Sequence, residues 1–157
     1  TAANASKIND GASAVLLASG DAVKAHGLTP LAKVVGYGGH AQAPEWFTTA
    51  PAGSIEGVLK KTDLGVSDID LWEVNEAFAV VALANQDKLE IPADRLNVRG
   101  GAVALGHPIG CSGARILTTL AHAMQQTGKR RGIASLCIGG GEAVAVLIEN
   151  EAASAAS

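Results

Sequence analysis

Three side chains in this sequence could do chemistry together. They are a histidine at 107, set between Gly106 and Pro108; a cysteine at 137, followed by Ile138-Gly139-Gly140-Gly141; and an asparagine at 75, followed by Glu76-Ala77-Phe78. A neutral imidazole can take a proton or give one to a developing oxyanion. A thiol beside free backbone N–H groups is expected to have its thiolate favoured and its pKa lowered. The same N–H groups could hold an oxyanion. A carboxamide can position a water or orient the imidazole. Each residue also has a plain structural use: His107 as incidental to a Gly-rich turn, Cys137 as a small core side chain, Asn75 as a helix N-cap. Glycine punctuation around His107 and Cys137, combined with Asn75, favours a site. Gly100, Gly101, Gly106, Gly110 and Gly113 cluster around Pro108, where they allow backbone angles and close approaches that side chains forbid. Two reaction classes fit these residues. One is acyl transfer or hydrolysis through a Cys/His pair. The other is proton abstraction beside a thioester carbonyl, with the oxyanion held by donors.

The elements that must deliver these residues follow from periodicity and punctuation. Residues 71–74 (LWEV) read as a short strand, and Asn75 opens a helix to about residue 89 with Phe78, Val81 and Ala82 inward. The Gly-rich stretch at 100–116 leads into a helix to about residue 126, with Ile116, Leu117, Leu120 and Met124 inward and Gly128 as its stop. Residues 132–137 and 143–148 read as two strands of a hairpin around the glycine turn. Upstream, residues 13–18 (SAVLLA) read as a buried strand, residues 22–26 as a short helix capped at 19–21, and residues 31–37 as a strand. Residues 38–51 read as an irregular loop, with Trp46 and Phe47 either tucked down or walling an apolar pocket. A helix over 54–64 has Ser54 as its cap and Gly65 as its stop. His40 has no defined element end to hold it, and His26 and His122 read as background. Residues 150–157 read as a frayed tail. Alternating strands and helices make the chain α/β, a class that gathers ligands at the carboxyl ends of its strands.

The 157 residues fit one domain, long enough to bury about two thirds of its unfolded surface. With 48% hydrophobic residues but only 3% aromatic ones, the core must be built from Ala, Val, Leu and Ile. A net charge of −3 gives no footing for nucleic acid or an anionic membrane surface. Neither Cys111 nor Cys137 has ligands at metal spacing, so no metal is expected, and free thiols in a reducing cytoplasm fit a chain without targeting signals. The chain begins at Thr1 without a methionine, as a processed or truncated piece would.

Four motifs, in order along nearly the whole chain, resemble the C-terminal part of the thiolases, the acetyl-CoA acetyltransferase and 3-ketoacyl-CoA thiolase family. They are Asn4-Ala5-Ser6 with Ile8-Asn9-Asp10-Gly11-Ala12; Asn75-Glu76-Ala77-Phe78; Gly100-Gly101-Ala102 through Gly106-His107-Pro108 to Gly113-Ala114-Arg115; and Cys137-Ile138-Gly139-Gly140-Gly141. The resemblance implies a thiolase-like α/β fold, a mixed sheet flanked by helices. Residues 28–150 would be the C-terminal domain, residues 1–27 a remnant of the N-terminal half (its last strand and a short helix), and residues 151–157 a disordered tail. His107 would activate a nucleophilic cysteine and help bind the thioester oxygen. Cys137 would take the α-proton of a second acyl-CoA. Asn75 would hold the water of an oxyanion hole, and the N–H of Gly139 would belong to another. Ser6, Phe47 and Phe78 would lie along the pantetheine arm of coenzyme A, which enters as acyl-CoA substrate with no tightly bound cofactor. The family's nucleophilic cysteine lies in the N-terminal half, which this sequence lacks, and Cys111 reads as packing. The reaction implied is reversible Claisen condensation of two acetyl-CoA, or else 3-ketoacyl-CoA cleavage in fatty-acid β-oxidation. An inactive fragment or binding module is the competing class. A dimer or tetramer is implied for the parent. The strand at 13–18 would have lost its own sheet and left an apolar edge exposed.

Overall fold

The computed structural model describes residues 1–154. Its centre is a four-stranded mixed sheet. The elements in order are α1 (Gly20–His26), β1 (Lys33–Ala41), α2 (Ala50–Thr62), β2 (Leu71–Val74), α3 (Ala79–Leu89), the one-turn α4 (Ala102–Leu105), α5 (Ser112–Thr127), β3 (Arg131–Ile138), β4 (Glu142–Glu149) and the one-turn α6 (Glu151–Ser154). The strand order is β1-β4-β3-β2. β4 runs antiparallel to both β1 and β3, as the hairpin reading expects, while β2 and β3 are parallel.

Side-chain alternation along the strands builds the two layers. Trp72, Ile133 and Leu147 pack on one face with Ile55, Val58 and Leu59 of α2. Their neighbours Leu71, Ala134 and Ile148 pack on the other with Ile116, Leu120 and Met124 of α5. β2 is an edge strand, yet all four of its residues are buried. Its outer edge is closed by residues 96–97. The Asn97 carboxamide accepts from Val74 N and donates to Val74 O, each at 2.9 Å, which imitates a neighbouring strand.

Several boundaries differ from the sequence reading, each for a physical reason. Residues 13–18 form no strand; Leu16 and Leu17 are 88% and 76% exposed, since no strand lies alongside to pair with them. β1 extends through 38–41, because β4 supplies partners as far as Ala41↔Glu142. The rest of the expected loop is a 3-10 turn, Pro44–Thr49, leading directly into α2. Ser54 is therefore no cap: it is fully buried inside α2, where its hydroxyl donates to Pro51 O at 2.9 Å and meets Ser135 Oγ at 3.1 Å. The stop is Asp63 in the left-handed region, two residues before Gly65. Helix α3 begins at Ala79 and not at Asn75, because residues 77–79 pair with the N-terminal segment: Ser6 N donates to Ala77 O and Ala79 N to Asn4 O. That bridge keeps Phe78 extended and 42% exposed, not inward. The expected tail is ordered at its start. Asn150 is buried, its N–H donates to Arg130 O, and α6 follows. The remainder of that expectation, at 155–157, lies outside the described residues.

Candidate active site

Two of the three chemical residues leave the sheet side by side. Asn75 follows β2 directly, and its N–H donates to Ser135 O of the parallel neighbour at 3.0 Å. Cys137 lies two residues further along β3, at that strand's carboxyl end. The glycine turn begins at once, with Gly141 N donating to Ile138 O. Gly139 is exposed on this turn with open space around it. The chain must reverse in four residues here, and Gly141 does so at a φ of +96°.

His107 reaches the same end of the molecule through α5. That helix runs down to the start of β3, so its N-terminus lies beside the carboxyl end of β3. His107 Nδ1 is 2.5 Å from the hydroxyl of Ser112, the first residue of α5, and its own N–H donates to Lys7 O at 2.7 Å. One turn into α5, Arg115 Nη2 donates to Asn75 Oδ1 at 3.3 Å. Its Nη1 lies 3.9 Å from Glu73 Oε2, too far for a hydrogen bond. Asn75 Nδ2 is buried and has no hydrogen-bond partner among the described residues. Asn75 and the first turn of α5, which holds His107 through Ser112, thus meet at one corner, while Cys137 leaves the neighbouring strand end with its side chain packed on the α2 face of the sheet.

Burial dominates the electrostatics of this corner. It lowers the pKa of His107, and the Arg115 charge lowers it further, so the imidazole is neutral near pH 7. Burial also pushes the Cys137 thiol up, and a hydrogen bond with its own backbone N–H offsets this only in part. The expectation of a lowered thiol pKa is corrected: desolvation outweighs the one backbone donor that favours the thiolate, which is the residue's own. Glu73 is 2% exposed and its carboxyl is raised to about 8, by burial first and by the nearby Glu76 charge, against the pull of Arg115.

Ser6, Phe47 and Phe78 form a second patch beside Asn75. Ser6 Oγ donates to Ala77 O at 2.7 Å, and the rings of Phe47 and Phe78 meet edge to face at 6.2 Å. His40 is taken up elsewhere, with its ring over Gly53 of α2 and Nε2 3.1 Å from Gln42 Oε1. Both cysteines are free thiols. Sequence reasoning gave no role to Glu73, Ser112 or Arg115. Two signals were available: a carboxylate inside an apolar strand, and a cation in a helix's first turn, where the dipole disfavours it.

Residues 28–150 match the family model described as "Thiolase, C-terminal domain". A probable acetyl-CoA acetyltransferase of Dictyostelium discoideum is 53% identical over 149 residues, 95% of this chain and 36% of that protein. The crystal structure of the Bacillus anthracis acetyl-CoA acetyltransferase superposes with a TM-score of 0.93 at 46% identity, covering 95% of this chain and 38% of that one. Human mitochondrial 3-ketoacyl-CoA thiolase in complex with CoA superposes at 0.88 with 42% identity, covering 96% of this chain and 38% of that one. The chain thus spans little more than a third of the length of the relatives it matches.

Proposed function

The chain belongs to the thiolase family, whose C-terminal domain it carries, and from that premise we propose that it supplies one wall of an acetyl-CoA C-acetyltransferase site. What supports this reading is that one end of the sheet carries all three elements: the start of α5, to which Ser112 ties His107 and from which Arg115 reaches Asn75, and the ends of the adjacent parallel strands that carry Asn75 and Cys137. The nucleophilic cysteine belongs to the portion of the protein outside this chain.

In this reading an acetyl group first passes from CoA to that cysteine, whose proton His107 accepts as a neutral base. CoA leaves as the thiol, its proton supplied by Cys137, which is left as the thiolate. A second acetyl-CoA then enters along Ser6, Phe47 and Phe78. Cys137, as thiolate, removes a proton from its methyl carbon. The resulting carbanion attacks the acyl-cysteine carbonyl, forming the carbon–carbon bond and expelling the cysteine thiolate, which takes its proton back from His107, and acetoacetyl-CoA is released. Asn75, His107 and the N–H of Gly139 stabilise the oxygens that gain charge. A raised thiol pKa suits Cys137 to this work, since a more basic thiolate is the stronger base toward a carbon acid. Thiolysis of a 3-ketoacyl-CoA runs the same steps in reverse.

The test is cleavage of acetoacetyl-CoA by CoA, followed as loss of the substrate's absorbance. The chain alone is expected to show no turnover, and the protein extended to the length of its relatives is expected to be active. Turnover by the chain alone overturns the assignment of the nucleophile. An extended protein inactive on both acetoacetyl-CoA and longer 3-ketoacyl-CoA overturns the reading.

A further inference from the structure

The chemical sense of the Asn75 carboxamide depends on which way it is turned. It is 1% exposed. Its backbone N–H is spent on β3, its Oδ1 accepts from Arg115 Nη2, and its Nδ2 has no partner among the described residues. A guanidinium has no acceptor, so the atom it touches must be the carboxamide oxygen. Swapping the two ends of the amide would set an N–H₂ against a cation and leave the oxygen in the buried position that Nδ2 now occupies. Arg115 is itself mostly buried, stands on the first turn of α5, and directs Nη1 toward the buried Glu73. A cation at a helix N-terminus works against the helix dipole, so its presence there calls for a local use.

We propose that Arg115 is the positioning residue for Asn75: its hold on Oδ1 fixes the carboxamide with Nδ2 as the donor available to a substrate oxygen or to a water that contacts one. This rests on the proposed function for its chemical meaning, but the hold itself can be observed without turnover. Arg115 touches no reacting atom; its charge also bears on His107 and Glu73, and a double-mutant cycle separates that effect from its hold on Asn75.

The experiment is a double-mutant cycle in the protein extended to the length of its relatives. Arg115→Met is expected to lower kcat for acetoacetyl-CoA thiolysis roughly 10- to 100-fold, somewhat less than the loss of a whole oxyanion donor, with KM changed by less than about twofold. In an Asn75→Ala background the same substitution is expected to cost less than about threefold, since the group it positions is gone. An equal loss in both backgrounds overturns the inference. Arg115→Lys keeps a charge beside Glu73 but loses the planar fork; it carries the same cycle if the Met variant does not fold. The second readout is the Asn75 side-chain amide resonance. It should shift or broaden in Arg115→Met while that of Asn85 stays in place, and an unmoved Asn75 resonance also overturns the inference. A wild-type protein without thiolase activity overturns the proposed function, and the amide resonance still decides whether Arg115 holds Asn75.

Discussion

Glu73 is the residue whose environment makes the sharpest demand. Burial pushes its carboxyl up to about 8 in the fold, from an ordinary value of about 4.5. The folded chain therefore binds more protons than the unfolded one between those values, and stability falls as pH rises through that window. Glu73→Gln, which keeps the shape and removes the titration, is expected to flatten the decline between pH 5 and pH 8. The recovered stability near pH 8 should be on the order of a few kcal/mol, and urea unfolding at a series of pH values measures it. A slope unchanged by the substitution would place the titration elsewhere. His107, Cys137 and Asn75 stand out in the sequence because glycines or a strand end flank them. Glu73 and Arg115 have no such flanks. A carboxylate in an apolar strand and a cation in a helix's first turn mark each of them locally, but their significance comes from burial and from each other, across more than forty positions of chain. The direction of the Cys137 shift was missed for the same reason: the glycine turn is visible in the sequence, but the desolvation around the thiol is not.

At the scale of elements, the reversal at 138–141 joins β3 to β4 and presents Gly139. At Gly141 the φ is +96°, and a Cβ would lie 2.4 Å from Gln42 O and 3.1 Å from Pro44 Cα. These are backbone atoms, so no rotamer change relieves the clash. Gly141→Ala is expected to destabilise the chain by about 2 kcal/mol or more, measured as a fall in thermal midpoint. The neighbouring Gly139 has open space around it, so Gly139→Ala should leave the midpoint almost unchanged. The strands β2, β3 and β4 and the helix α5 were legible, because apolar runs and a 3.6-residue stripe with a Gly stop define them locally. The missed boundaries are those set by partners distant in sequence. β1 is lengthened by β4, and α3 is shortened by the bridge from residues 4–6.

The whole molecule exposes more surface than a compact protein of its size. Its accessible area is 8503 Å² for 15.7 kDa, where a compact monomer would show about 7,300 Å². Part of the excess is apolar and contiguous. A groove of about 280 Å³ runs between residues 15–17, α5 and strands β3 and β4, lined by Val15, Leu17, Leu117, Leu136 and Val144 among others. The chain by itself is expected to bind a hydrophobic dye and to self-associate on size-exclusion chromatography. Leu17→Ser is expected to weaken both while moving the thermal midpoint by no more than a degree or two, since Leu17 is already 76% exposed. Dye binding unchanged by the substitution would locate the sticky surface elsewhere. The sequence reading does foresee an orphaned apolar segment at 13–18, from the resemblance; composition alone does not distinguish it from a core strand.

The N-terminal segment is stitched to the body of the molecule by Asn4 and Ser6 at residues 77–79, by Lys7 O at the N–H of His107, and by Ser13 at Thr118 of α5. None of these stitches belongs to the sheet. A protease that trimmed the first dozen residues would leave the strands and their packing in place while cutting His107 loose from one of its two tethers. Such a clipped molecule would still unfold cooperatively in the calorimeter, yet its imidazole would no longer stand at a fixed address, so assays of foldedness would pass material that assays of competence reject.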